Sequence, residues 1–350
     1  MSRTTSAPRV ALVGARTLLG KEILVVLGER KFDVSSVIEA GGEESDPDLP
    51  VIDLAAGELA PEPRDRIDVN ECDFLFLAAR PHSAAAKRWL DEQLAFQPQA
   101  RSAGTGCRII DADRVLPPDW QAVVSIPALD QYGTARPEAG SARCYIAPHA
   151  ATILISTVLL RLASRFHIER SVAHVFTSAS ELGAGAIGEL QKQTTQLLSF
   201  QKPSRAWFGA QSTFNLLPRL QTKTADLSGL TLRVRNELDR YLAARAPLPA
   251  IRLAQAPIFH SLAVSMYIET AESVKPAEVE ETLAVDGMKL TPASSPPRAP
   301  QEIQGSSTIA LDPVVADEQR PGGFWVWAAA DNLRLAAENA VDIAERLRAT

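Results

Sequence analysis

The first residues whose spacing suggests chemistry are Gly14-Ala15-Arg16-Thr17-Leu18-Leu19-Gly20, which follow an apolar run over residues 9–13. Glycines between a buried strand and a helix make a loop of the kind that receives the pyrophosphate of a dinucleotide. The first allows the tight turn, the middle one lets the backbone approach, and the last lets helix pack on strand. Here Gly14 and Gly20 take the outer places and Thr17 the middle one. A β-branched side chain there intrudes on the phosphate, unless its hydroxyl caps the helix instead. Other reactive groups are sparse. Cys72, Cys107 and Cys144 show no paired or metal-ligand spacing, and an odd, small count suits a reducing compartment. His82, His167 and His174 are scattered, so no metal site is read. Arg114 and Arg233 offer positive charge to a small anion, although each also reads as a solvated surface arginine.

These residues must be positioned by elements whose periodicity is visible. Residues 9–13 read as a buried parallel strand, followed by a helix to about residue 28. Short strands are expected at 34–38, 74–78 and 108–111, with a helix over 83–96 and mostly loop over 41–66. Strands alternating with helices imply a doubly wound parallel sheet. The pattern changes after Pro148. Helices are expected at 150–166, 185–198 and 230–243, and a strand at 172–176. Residues 251–254 and 262–268 read as neighbouring strands of a mixed sheet. The Pro- and Ser-rich stretch 292–300 is loop, because proline removes donors and blocks helix. A strand at 324–328 and a helix at 333–348 close the chain. The expected fold is therefore α/β. A nucleotide-type doubly wound domain (1–147 and 331–350) carries an α+β mixed-sheet domain (148–330), and the last helix returns to the first domain.

Composition narrows the functions. The chain has 350 residues, 46% hydrophobic and 22% charged, as expected of a globular protein with a real core. A formal net charge of −6 leaves no basic surplus for nucleic acid or for an anionic membrane. No apolar run approaches the roughly 20 residues of a membrane span, and the polar residues 1–8 do not read as a signal peptide. A cytoplasmic protein is expected.

Several segments, taken in order, resemble the aspartate-semialdehyde dehydrogenases, and most closely the bacterial non-catalytic paralogues in that family. The glycine loop stands where the family carries G-A-T-G-x-V-G. Tyr145-Ile146-Ala147-Pro148-His149-Ala150-Ala151-Thr152 stands in place of I-A-N-P-N-C-S-T. Glu189-Leu190-Gln191-Lys192-Gln193-Thr194 resembles E-L-x-x-Q-T, Phe214-Asn215-Leu216-Leu217-Pro218 resembles F-N-V-I-P, and Asn236-Glu237 resembles the N-E pair. Ala330-Asp331-Asn332-Leu333-Arg334 matches A-D-N-L-R. The resemblance implies a Rossmann-like domain and a dimerisation and substrate domain. It also implies NADP-dependent interconversion of an acyl phosphate and an aldehyde through a cysteine thioester.

Set on that pattern, the chain departs at the chemistry. Ala150 falls at the cysteine position and His149 at that of an asparagine. Cys144, six residues earlier, is the nearest thiol, and Thr152 is a hydroxyl that the family also carries. Thr177 stands for the family glutamine and Gln255 for the arginine that binds the substrate carboxylate. An amide cannot reproduce that bidentate charge-assisted pairing. Arg233 takes a lysine position, Arg114 follows Asp111 after a shortened turn, and Glu237 is retained. His260 resembles the acid-base histidine, but two residues before it are missing. For the cofactor, Gly14, Gly20 and Asn332 are kept, while Thr17, followed by Leu18, stands at the place of the middle glycine. Glu39-Ala40-Gly41-Gly42-Glu43-Glu44 offers acid where the family offers Ser and Arg to the NADP phosphate, which disfavours NADP more than NAD.

Three readings follow. The first is a fold kept for binding or assembly, as a homodimer, after catalysis was lost. The second is an NAD-linked oxidoreductase that needs no thioester. The third is an active dehydrogenase of the family using Cys144.

Overall fold

The computed structural model describes residues 8–32, 72–79, 88, 92, 106–116, 120–132, 142–220, 222 and 225–348, and the backbone alone at 36–40 and 62–64. These form two compact units, one of residues 1–130, 134–148 and 336–350, the other of 131–133 and 149–335.

In the first unit, seven parallel strands make one sheet. They are β1 (Arg9–Val13), β2 (Ser36–Ala40), β3 (Glu62–Arg64), β4 (Phe74–Leu77), β5 (Arg108–Asp111), β6 (Ala122–Val124) and β7 (Cys144–Ile146), in the order β3-β2-β1-β4-β5-β7-β6. β4 reads Phe-Leu-Phe-Leu and is buried throughout, as a strand covered on both faces must be. One face packs Val10, Leu12, Phe74 and Phe76 against Ile23, Val26 and Leu27 of helix α1 (Leu18–Glu29). The same cluster contains Ala337, Ala340, Val341 and Ala344 of the last helix, α6 (Asn332–Arg348). Their spacing of three and four residues makes one apolar stripe. The return of the terminal helix to the first domain is thus observed. The other face holds Leu75, Leu77 and Ile109 with all three cysteines.

The second unit carries β8 (Ile168–Thr177), β9 (Ala250–Gln255), β10 (Leu262–Thr270), β11 (Met288–Leu290), β12 (Ile309–Leu311), β13 (Val315–Ala316) and β14 (Gly323–Ala330). Their order is β11-β12-β14-β10-β8-β9, with β13 also on β14. β8 and β9 are parallel, whereas β10 is antiparallel to both β8 and β14. Helix α2 (Ala150–Ala163) is apolar on nearly every side and buried, packing on this sheet. Helices α3 (Ala184–Leu198), α4 (Leu227–Leu242) and α5 (Pro276–Leu283) complete the unit.

Several expectations are corrected. Residues 251–254 and 262–268 are strands but not neighbours, because β8 lies between them and pairs with both. Apolar alternation marks strands and leaves their order open. The helix expected to reach residue 166 ends at Ala163, where the Ser164 hydroxyl bonds the Arg161 carbonyl. The strand expected at 34–38 is Ser36–Ala40. The helix expected from residue 230 starts at Leu227, because Asp226 caps the amides of Ser228 and Gly229. The helix expected over 83–96 and the acidic segment after Ala40 lie outside the described residues, apart from helical Arg88 and Glu92.

Candidate functional site

In the first unit the glycine loop leaves the C-terminal end of β1, beside β4, where the strand order reverses and α/β sheets take ligands. Gly14 has φ +83°, and a Cβ there would meet that of Ala79 at 2.7 Å. A Cβ on Gly20 would come within 2.0 Å of the Gly14 carbonyl oxygen, so both places require glycine. Thr17 does not intrude on the loop. Its hydroxyl accepts from the Gly20 amide (3.1 Å) and donates to the Gly14 carbonyl (2.8 Å), which makes it the N-cap of α1. Among the described residues the Leu18 and Leu19 amides meet no acceptor. Two such donors at a helix N-terminus suit a phosphate oxygen. Of Glu39 only the backbone is described, paired with Leu12. Arg114, at φ +52°, lies in a turn whose amides at Asp113, Val115 and Leu116 converge on the Asp111 carboxylate.

The second unit gathers most of the other candidates around the first turn of α2. His149 is its N-cap, and Nδ1 accepts from the Ala151 amide at 3.0 Å. The ring proton is therefore on Nε2, which donates to Glu181 Oε1 at 2.6 Å. Glu237, from α4, accepts from the His149 amide and the Thr152 hydroxyl, each at 2.8 Å, and from Arg233 Nε at 2.9 Å. The negative charge that favours a helix N-terminus is thus supplied by the chain itself. On the far side of Glu181, Asn332 Nδ2 donates to Oε2. Its oxygen accepts from the Ser180 hydroxyl and the Ser261 amide, so the amide of Asn332 is spent within the unit.

The charges of this network follow from its bonds. Burial pushes the Glu181 carboxyl up, but the electrostatic pull and hydrogen bond of the His149 ring N–H, then Arg233 and Asn332, outweigh it and hold it well below its usual range. Glu237 is pushed up by burial and held low overall by Arg233 and His149. His260 is half-buried; burial lowers its pKa and the Asp331 carboxylate opposes this. Ala150 is buried at the first helical position and brings only a methyl group.

Thr177 and Gln255 meet across the β8–β9 rung. The Gln255 amide donates to the carbonyls of Thr177 (3.2 Å) and Ala256 (2.9 Å), and its oxygen accepts from the Thr177 hydroxyl (3.3 Å). Both side chains are buried, and the amide is committed to backbone. Cys144 lies buried in β7 of the first unit. Burial pushes its thiol up to about 11 against the weaker pull of Arg143.

Residues 159–335, just over half of the chain, match the family described as semialdehyde dehydrogenase, dimerisation domain. The chain belongs to the semialdehyde dehydrogenase family. It is 24% identical to the aspartate-semialdehyde dehydrogenase of Rickettsia bellii (strain RML369-C) over 98% of each chain. It is 26% identical to the USG-1 protein homolog of Azotobacter vinelandii over 97% of each. The crystal structure of aspartate semialdehyde dehydrogenase II from Vibrio cholerae superposes with a TM-score of 0.78 at 22% identity, covering 98% of both. The fold of this semialdehyde dehydrogenase relative is thus a Rossmann-like domain joined to a mixed-sheet domain.

Sequence reasoning missed Glu181, Ser180 and Ser261. Glu181 lies 32 residues beyond His149, and no spacing rule links the two positions. Among the described residues no three His, Cys, Asp or Glu gather as a metal site, and no helix is long and apolar enough to cross a membrane.

Proposed function

We propose that this chain keeps the semialdehyde dehydrogenase fold as a homodimer without performing thioester chemistry. One observation carries the reading: the first turn of α2 offers no nucleophile. Ala150 has no reactive group, and the side chains of His149 and Thr152 are already committed to Glu181, the Ala151 amide and Glu237. Support comes from Gln255, whose amide satisfies buried carbonyls where the family pattern calls for a carboxylate-binding arginine. Cys144 is a poor substitute, because a buried thiol pushed up to about 11 is almost wholly protonated at neutral pH. Intact-mass spectrometry after incubation with aspartate semialdehyde and NADP tests this reading. No acyl adduct is expected, and an adduct on Cys144 would overturn it.

A second reading, an NAD-linked oxidoreductase without a thioester, is favoured by the glycine loop. Gly14 and the Leu18 and Leu19 amides fit a dinucleotide pyrophosphate, and Thr17 leaves the approach open by turning its hydroxyl to Gly20. A bound nicotinamide would supply hydride transfer. The chain's own part would be to hold the phosphates at the N-terminus of α1. Calorimetric titration with NADH and NADPH separates the readings, since saturable binding is required by the second alone.

A further inference from the structure

The stretch from Leu190 to Ala225 contains no aspartate or glutamate, yet it carries Lys192, Lys202, Arg205, Arg219 and Lys223. The formal net charge of −6 for the whole chain thus conceals a local basic surplus. Lys192, Lys202, Arg205 and Arg219 are exposed, and their side chains meet no carboxylate among the described residues. Large apolar side chains are interleaved with them. Phe200 is 99% exposed, Leu198 69%, Phe214 68% and Leu216 59%.

The fold holds these side chains in place. The segment after α3 turns back along the helix and is fastened by Glu189, Gln193 and Gln196, which share one helical stripe. Gln196 accepts from the Ser204 amide (2.7 Å) and Glu189 from the Ala206 amide (3.1 Å). Gln193 donates to the Ser204 and Ala210 carbonyls and accepts from the Ser212 and Thr213 amides. The Thr213 hydroxyl lies 3.3 Å from that of Thr194, one helical turn before Leu198. Phe214 and Leu216 therefore leave the loop near the end of α3 that carries Leu198 and Phe200. Phe200 closes the helix at φ +57°, with its amide on the Leu197 carbonyl and the Gln201 amide on that of Gln196. This left-handed closing position favours glycine, so a phenylalanine there is strained. Packing within the chain gives no reason for the ring, which stands bare of neighbours.

We propose that this end of α3 docks on the surface of an anionic lipid bilayer. Leu198 and Phe200 enter the boundary between headgroups and acyl chains, with Phe214 and Leu216 beside them. Lys192, Lys202, Arg205 and Arg219 stay at the level of the headgroup phosphates. Such cations are drawn to an anionic surface, and no carboxylate of the stretch opposes them. The shape favours lipid over a protein partner. Phe200 projects from a helix end as a bare ring collared by cations, which suits a yielding apolar boundary better than a packed protein surface. The chain lies on the bilayer and does not span it, since no helix among the described residues is long and apolar enough to cross.

The test is co-sedimentation of the full chain with vesicles of phosphatidylcholine alone and of phosphatidylcholine mixed with phosphatidylglycerol. Binding is expected to the mixed vesicles only, and to weaken as salt is raised. Phe200→Gly is expected to bind roughly tenfold more weakly, since one inserted side chain is lost. The same change relieves the left-handed backbone, so its thermal midpoint should equal or exceed the parent's, which separates lost binding from lost folding. Lys202→Gln combined with Arg205→Gln is expected to weaken binding roughly thirtyfold. Absence of binding to the mixed vesicles, or equal binding to both kinds, overturns the proposal. So do variants that bind as the parent does. Association with soluble polyglutamate but not with vesicles assigns the surface to an acidic protein segment and also overturns it.

Discussion

His149 Nε2 lies 2.6 Å from Glu181 Oε1, while Nδ1 of the same ring caps the Ala151 amide. Both ring nitrogens are therefore engaged, and the histidine holds the start of α2 without being free to act as a base. Replacing His149 with Ala removes a helix cap and leaves a largely buried carboxylate without its donor. A loss of about 2–4 kcal/mol is expected in denaturant unfolding. Glu181→Gln, which keeps a hydrogen-bonding group, is expected to lose less.

Acid should weaken this network. The folded pKa of Glu181, at about 2, is below that of an unfolded glutamate, and Glu237 is shifted the same way. Their contribution is complete above roughly pH 4.3, the unfolded value, and is lost as pH falls towards the folded one. The thermal midpoint should fall over that window, and less steeply in Glu181→Gln. Equal slopes in the two proteins would show that Glu181 contributes nothing to this pH dependence.

Gln255 is held to be structural. Gln255→Leu would leave the buried Thr177 and Ala256 carbonyls without their side-chain donor, at about 1–3 kcal/mol. An unfolding curve superimposable on the parent's would show that the amide is available for other work.

The three thiols should be silent in the folded protein. Cys72, Cys107 and Cys144 are all buried, and burial raises the thiols of Cys107 and Cys144. A neutral-pH titration with a disulfide reagent is expected to find none before unfolding and three after it. Fast modification of Cys144 alone in the native state would argue for a reactive thiol.

The parts of this molecule legible in sequence are those set by local physics. Unbroken apolar strands such as Phe74–Leu77 announce a sheet covered on both faces, and Gly14 and Gly20 mark positions where a side chain has no room. Thr17 was ambiguous, because intrusion and capping depend on a rotamer that only the folded loop selects. β9 and β10 read as neighbours in the sequence, but strand order follows from long-range pairing, which sets β8 between them. Glu181 was invisible for the same reason: its role exists only where the turn after β8 meets the start of α2.

The central claim is the absence of thioester chemistry. It is tested most directly by following NADPH formation from aspartate semialdehyde, phosphate and NADP, with chain purified from a host lacking its own dehydrogenase. No turnover above the protein-free rate is predicted. Turnover that co-purifies with the chain and is abolished by alkylating a thiol would contradict the account.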